Sequence, residues 1–267
     1  MNPKITKISA QKRKGRFNVY IDDHYAFPIS ENVMIKYRVF KGMEVDEKLK
    51  HQLINADNIS KLYSKAIDFL SHQLRTESEI VKKLSNFTED DSSIETVIKQ
   101  LKDQHLINDQ NYADSYVRTE VKKQDKGPSN VYFKLKSKSI SEDKIQNAVE
   151  NFYSDEDAIK NCIVQAKKIF NKHKRDAFKN RIQKTKVSLI KKGYNNDIVI
   201  SAVDSLNLEP DNVQQEHLLE EQGEKFWLRN RNYDSKKRSL KTKQSLYRKG
   251  FNIDDINHFI DSKLNNF

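Results

Sequence analysis

The chain has 267 residues, with 49 Lys and Arg against 38 Asp and Glu, a net charge of +11. An apolar fraction of 36% argues against one large core, yet 13 Phe, 11 Tyr and one Trp are too many anchors for a disordered chain, and several small cores satisfy both facts. The single cysteine excludes an internal disulfide or a cysteine zinc cluster, no glycine run forms a phosphate-cradling loop, and no window is apolar enough for a membrane span or signal peptide, so a cytoplasmic protein is expected.

Residues 1–58 differ from the rest. Ile5 to Ile8, Phe17 to Ile21 and Tyr25 to Phe27 read as short strands, with Lys14-Gly15 and Asp22-Asp23 where hairpin turns fall. Ser30 and Asp46 each open a helical pattern, and Gly42 breaks the chain between them. A small β-containing head with helices is expected.

From about residue 59 the pattern is helical and repeats. Leu84, Leu135, Leu189 and Leu246 align without gaps: ten residues on stand Ile94, Ile145, Val199 and Ile256, and fourteen on stand Ile98, Val149, Val203 and Ile260. Seventeen on stand Leu101, Phe152, Leu206 and Lys263, completing one helix face. Six positions after each anchor, Asp90, Ser141, Asn195 and Asn252 are residue types that cap a starting helix. Lys138-Ser139-Ile140, Lys192-Gly193-Tyr194 and Lys249-Gly250-Phe251 read as tight turns whose apolar residue plugs the core, with Phe87 expected to plug the first copy.

A longer apolar-periodic helix precedes each anchor, so the unit is three helices, and the copies divide as 59–107, 108–153, 154–208 and 209–267. Units this small bury their faces by stacking. The fold class is therefore mainly α, with tandem three-helix repeats forming an elongated, curved array behind a small N-terminal β-containing head.

Charge is segregated. Residues 160–200 hold twelve Lys or Arg against Asp176 and Asp197, residues 225–250 hold ten against Asp234, and residues 201–224 hold seven acids and no Lys or Arg. Such blocks form an electrostatic footprint for a polyanion, set against the plainer reading of solvated helix faces. The candidate DNA- or filament-binding residues are Lys172, Lys174, Arg175, Lys179, Arg181, Lys184, Lys186, Lys191 and Lys192 in the third repeat. In the fourth they are Arg229, Arg231, Lys236, Lys237, Arg238, Lys241, Lys243, Arg248 and Lys249. Phe178, Phe226, Trp227, Tyr233 and Tyr247 lie among them and offer stacking faces for single-stranded bases, although Phe226 stands at a core position of its helix. A three-helix unit with a tight turn also resembles a helix-turn-helix, but Ile145 to Phe152 in the third-helix position carries no basic residue, which argues against major-groove reading.

Signals for catalysis are weak. Seven histidines lack zinc spacing, Asp22-Asp23-His24 reads as a hairpin tip, Glu220-Glu221 as a solvated face, and Cys162 as a core residue between Ile159 and Ala166. Thr76-Glu77-Ser78-Glu79 reads as a capping box. No catalytic residue, metal or cofactor is expected, and the chain is not expected to be an enzyme.

Three segments carry a family resemblance: Arg75 to Leu84, Ile107-Asn108-Asp109-Gln110-Asn111-Tyr112-Ala113, and Lys126-Gly127 followed by Leu135. Together they resemble the RecX regulators of bacterial recombination, from about residue 60 to the C-terminus and more weakly in the head; Asn108 and Ser139 depart from the family's Asp and Gly. The resemblance implies a monomeric, non-enzymatic modulator of the RecA recombinase. Its partners would be the RecA filament and single- or double-stranded DNA, and it would lie along the filament groove and limit filament growth and activity. The alternative that the charge blocks leave open is a protein binding DNA or RNA directly.

Overall fold

The structure, a computed structural model, describes residues 3–265. Three antiparallel strands open the chain, β1 (Ile5–Ala10), β2 (Arg16–Ile21) and β3 (His24–Ser30), in the order β1-β2-β3. Asp22 and Asp23 join β2 to β3 with φ of 46° and 66°, the left-handed pair that matches the twist of a two-residue hairpin. Ser30 then caps α1 (Glu31–Lys36) by accepting from Val33 N–H, and Asp46 caps α2 (Glu47–Ser71) by accepting from Leu49 N–H.

Helix α2 is 25 residues long and runs through residue 58, where the sequence reading ended the head. No Gly or Pro interrupts it, and its two halves serve different cores. Leu53 packs with Val19, Phe27, Ile29 and Val33 of the head, while Leu62 and Ala66 pack with Ile80, Leu84, Ile94 and Leu101. The latter come from α3 (Glu77–Leu84) and α4 (Asp91–Asp103), which complete the first three-helix group. These elements, up to Tyr112 and joined by Lys138–Ile140, form one compact unit.

The second unit holds most of α5 (Asp109–Lys123), then α6 (Pro128–Lys136) and α7 (Glu142–Phe152). Helices α8 (Asp155–Lys172), α9 (Phe178–Lys191) and α10 (Asn196–Asp204) follow, then α11 (Asn212–Arg229), α12 (Ser235–Arg248) and α13 (Ile253–Asn265). The architecture is thus mainly α, in successive three-helix groups behind a small sheet. The anchors Leu84, Leu135, Leu189 and Leu246 are all 0% exposed, as are Ile145, Val199 and Ile256 ten residues after three of them.

Asp90, Asn195 and Asn252 accept from the first-turn N–H groups of their helices, whereas Ser141 makes no such bond and engages the Asp143 side chain. Ile140, Tyr194 and Phe251 plug their cores, but Phe87 is 46% exposed and does not. The reason is backbone geometry: Ser139, Gly193 and Gly250 have φ of 61°, 90° and 88°, while among the described residues none from 85 to 89 is left-handed. Phe87 instead carries the Lys65 ammonium on its ring, 3.8 Å from the centroid.

One junction recurs within the units. The third residue of each middle helix reaches the turn that ends the next middle helix: Glu79 pairs with Lys138 (2.6 Å), Asn130 Nδ2 donates to Lys191 O (2.9 Å), and Asn180 Nδ2 donates to Arg248 O (3.1 Å). Gly127 N–H also donates to Lys192 O (2.8 Å), and the backbones approach so closely that a Cβ on Gly127 would lie 2.4 Å from Gly193 carbonyl atoms.

Candidate nucleic-acid interface

This junction sets the start of α9 against the end of α12, and the two basic blocks meet there. A groove of about 740 Å³ opens between α9, α11 and α12, lined by Lys184, Arg229, Lys241, Arg248 and Lys249. Asp176 is the one carboxylate among the described residues that line it, and Tyr233 is exposed on its wall. A second groove of about 650 Å³ shares Lys249 and Phe226 and adds Arg175, Lys225 and Glu221.

The cations differ in freedom. Asp176 holds Lys184 at 2.6 Å and His173 Nδ1 at 3.2 Å. Lys241 stands 4.0 Å over the Tyr233 ring, and its bond to the phenol holds that hydroxyl below its usual pKa. Arg248 Nε donates to Gln244 O one turn back in its own helix (3.2 Å). Arg229 and Lys249 are exposed, and among the described residues no ion pair reaches either side chain. Lys and Arg at the ends of α9 and α12 also complement the helix dipole, so part of the charge has a local structural use.

Arg181 and Arg238 are not free. Each is half-buried, its guanidinium stacked on an aromatic ring (Phe170 at 3.5 Å, Trp227 at 4.0 Å), and each Nε donates to the carbonyl of that same aromatic residue (2.7 and 3.0 Å). The two pairs are equivalent between repeats, and both separate aromatic from arginine by 11 residues, a shared spacing that the sequence reading missed. Burial lowers the pKa of Arg181. Lys192 is drawn to Asp125 (2.6 Å), and Lys186 and Lys243 are half-buried. Lys172, Lys174, Arg175, Lys191, Arg231, Lys236 and Lys237 are exposed outside the main groove, and Lys179 lines a separate one with Phe178 and Tyr247.

Of the aromatic candidates, Trp227 is buried beneath Arg238 and Phe226 packs on the α11–α13 core, while Tyr233 and Tyr247 remain exposed. Asn180 and Asp176 shape the groove without standing out in the sequence, because their partners lie 68 and 8 residues away. Cys162 is buried and burial pushes its thiol up to about 12, which leaves no reactive thiolate at neutral pH. Among the described residues no group of three or more His, Cys, Asp or Glu is placed to hold a metal ion, and no helix is long and apolar enough to cross a membrane.

Successive three-helix groups with a small N-terminal sheet, and cations of two groups converging on one groove, define a helical-repeat protein. Comparison with known proteins names the family. Residues 3–46 match the regulatory protein RecX N-terminal domain, residues 108–149 the RecX second three-helix domain, and residues 214–260 the RecX third three-helix domain, which falls on α11–α13. The chain is 43% identical over 256 residues to regulatory protein RecX of Levilactobacillus brevis, covering 96% of each. It is 39% identical over 260 residues to that of Limosilactobacillus reuteri, covering 97% of this chain and 98% of the relative. A crystal structure of regulatory protein RecX superposes with a TM-score of 0.67 at 40% identity, over 76% of this chain and 99% of that one. That of RecX from Lactobacillus salivarius gives 0.54 at 37% identity, over 58% and 99%. The chain belongs to the RecX family.

Proposed function

We propose that the chain is a non-enzymatic regulator of the RecA recombinase that binds the RecA-DNA filament, with the groove between α9, α11 and α12 holding DNA phosphates. The observation that carries this reading is the convergence of five cations from two repeats on one groove with a single carboxylate. Lys and Arg that neutralise phosphates gain affinity through counterion release, without any need to read bases. Lys241, Arg248 and Lys249 are the central contacts, with Lys184 and Arg229 beside them. The exposed Lys172, Lys174, Arg175, Lys179, Lys191, Arg231, Lys236 and Lys237 extend the field that attracts the backbone. Arg181 and Arg238 act indirectly, by fixing the helices that carry the groove.

Contact with a filament at several points makes individually weak sites additive, so the regulator acts at far fewer copies than RecA protomers. The test is ATP hydrolysis by the cognate RecA on single-stranded DNA with less than one copy of this protein per protomer. Hydrolysis falls progressively with the wild-type chain, and the triple variant Lys241→Glu, Arg248→Glu, Lys249→Glu loses the effect while its helical circular dichroism is retained. Unchanged hydrolysis, with bare DNA still bound at the same concentrations, supports the second reading that the groove itself favours: a protein acting directly on DNA or RNA.

A further inference from the structure

We infer that the N-terminal head carries a second, separate contact for a nucleic-acid phosphate backbone, in the cleft between the β1–β2 hairpin loop and α2. The cleft has a volume of about 770 Å³, and its walls include Arg13, Lys14 and Arg16 from the hairpin and Lys61, Lys65 and Ser64 from α2. The chemistry of the walls selects the partner. None of the lining side chains is apolar, whereas a protein interface needs an apolar centre and a phosphodiester backbone needs only charge and hydrogen-bond donors.

The charges fall into a fixed set and a free set. Arg16 and Lys61 are committed to the buried carboxylate of Asp57, at 2.6 and 3.0 Å. Lys12, Arg13 and Lys14 are exposed, and among the described residues no hydrogen bond or ion pair engages their side chains. Glu31 and Asp68 are the carboxylates of the lining, against five cations, Arg13, Lys14, Arg16, Lys61 and Lys65, and Lys12 adds a sixth positive charge beside them on the loop. The loop that bears Lys12, Arg13 and Lys14 is held at both ends. Gln11 N–H donates to Arg16 O (2.9 Å), Gln11 Nε2 to Asn18 Oδ1 (2.7 Å), and Glu31 N–H to Gly15 O (2.9 Å). A pinned loop of consecutive unpartnered cations over a polar cleft is preorganised for an extended polyanion, at little ordering cost on binding.

The test uses the full chain and bare DNA, so it does not depend on RecA. The variant Lys12→Glu, Arg13→Glu, Lys14→Glu changes only exposed loop residues, and its circular dichroism verifies the fold. Affinity for a DNA duplex is measured across a salt series for this variant, the wild type and the groove variant Lys241→Glu, Arg248→Glu, Lys249→Glu. The head variant is expected to bind at least about tenfold more weakly at low salt, with the slope of log affinity against log salt reduced by about 2 as phosphate contacts are lost. Unchanged affinity and slope in the head variant, with loss in the groove variant, overturns the inference and leaves the groove reading in place. Loss of RecA-filament binding by the head variant with bare-DNA binding intact also overturns it, because the cleft is then a protein contact.

Discussion

At the scale of single residues, Asp57 is the clearest case of charge used for structure. Its side chain is 2% exposed and accepts from Arg16 Nη1 and Nη2, from Ser30 N–H and from Lys61, tying β2, the start of α1 and α2 together. Burial pushes its pKa up, but the bonds from Arg16 and Lys61 outweigh burial and hold the carboxyl below its ordinary 3.8. A depressed carboxylate contributes stability that is present above the unfolded-state pKa and is lost as pH falls through the folded one. Denaturant unfolding at fixed pH should therefore show a loss confined below about pH 4, and Asp57→Ala, which strands Arg16, should cost about 3 kcal/mol at pH 7. A cost under about 1 kcal/mol would mean that the pair is not a buried tie. Arg238 makes the complementary case. Its charge counted in the sequence as a DNA contact, but its stacking on Trp227 makes it a staple. Arg238→Ala should lower the unfolding midpoint by the equivalent of about 1–2 kcal/mol. Lys249→Ala should weaken DNA binding at unchanged midpoint, and the reverse pattern would exchange the two roles.

At the scale of elements, the repeat was legible because helix faces are written locally: the residues that follow Leu84, Leu135, Leu189 and Leu246 by ten, fourteen and seventeen positions, apolar in all but Lys263, are spaced four and three apart, one face of the next helix. The continuity of α2 was not, since a helix that serves two cores shows a change of face and no breaker at the change. Phe87 misled because it is the apolar residue nearest its anchor, but it stands three residues after Leu84 where Ile140, Tyr194 and Phe251 stand five after theirs, and no left-handed residue precedes it to turn it into the core. The groove was legible only as two runs of charge. Its existence depends on α9 meeting α12 through Asn180, a contact 68 residues long in sequence and invisible to any periodicity. The repeated junction is itself testable. Gly127→Ala forces a Cβ into backbone atoms of Gly193 and Tyr194 at 2.4–2.5 Å, where no side chain can rotate aside, so it should destabilise by about 2 kcal/mol or more. Hydrogen exchange should then show loss of protection at Gly127 and Ser129, whose N–H groups donate to Lys192 and Gly193. Protection equal to wild type at both amides would show that the junction yields without opening.

At the scale of the whole molecule, net charge alone separates little, since +11 on this length attracts any polyanion weakly. What discriminates a site from a diffuse field is the number of phosphates neutralised together. Seven acids of residues 201–224 stand directly before the second basic block in sequence, and along α11 the sign changes from Glu216, Glu220, Glu221 and Glu224 to Lys225 and Arg229. Arg229 in the last turn of α11 favours the helix dipole, but the first turn holds no acid, so most of this gradient is surface charge that stabilises the helix little. The groove adds something that the gradient does not: five cations on one surface, of which Lys184 alone is in an ion pair among the described residues. If all five meet duplex phosphates, the groove should contribute about −4 to −5 to the slope of log affinity for bare DNA against log salt, in addition to any share from the head. Removing Arg229 and Lys249 together by alanine should make the slope shallower by about 2, because each cation withdrawn leaves one phosphate with its own counterions. A wild-type slope near −1 would mean that the groove cations do not act together on a backbone. The fall in RecA ATP hydrolysis, if it persisted, would then have to come from contacts with protein, and charge reversal in the groove would leave it intact.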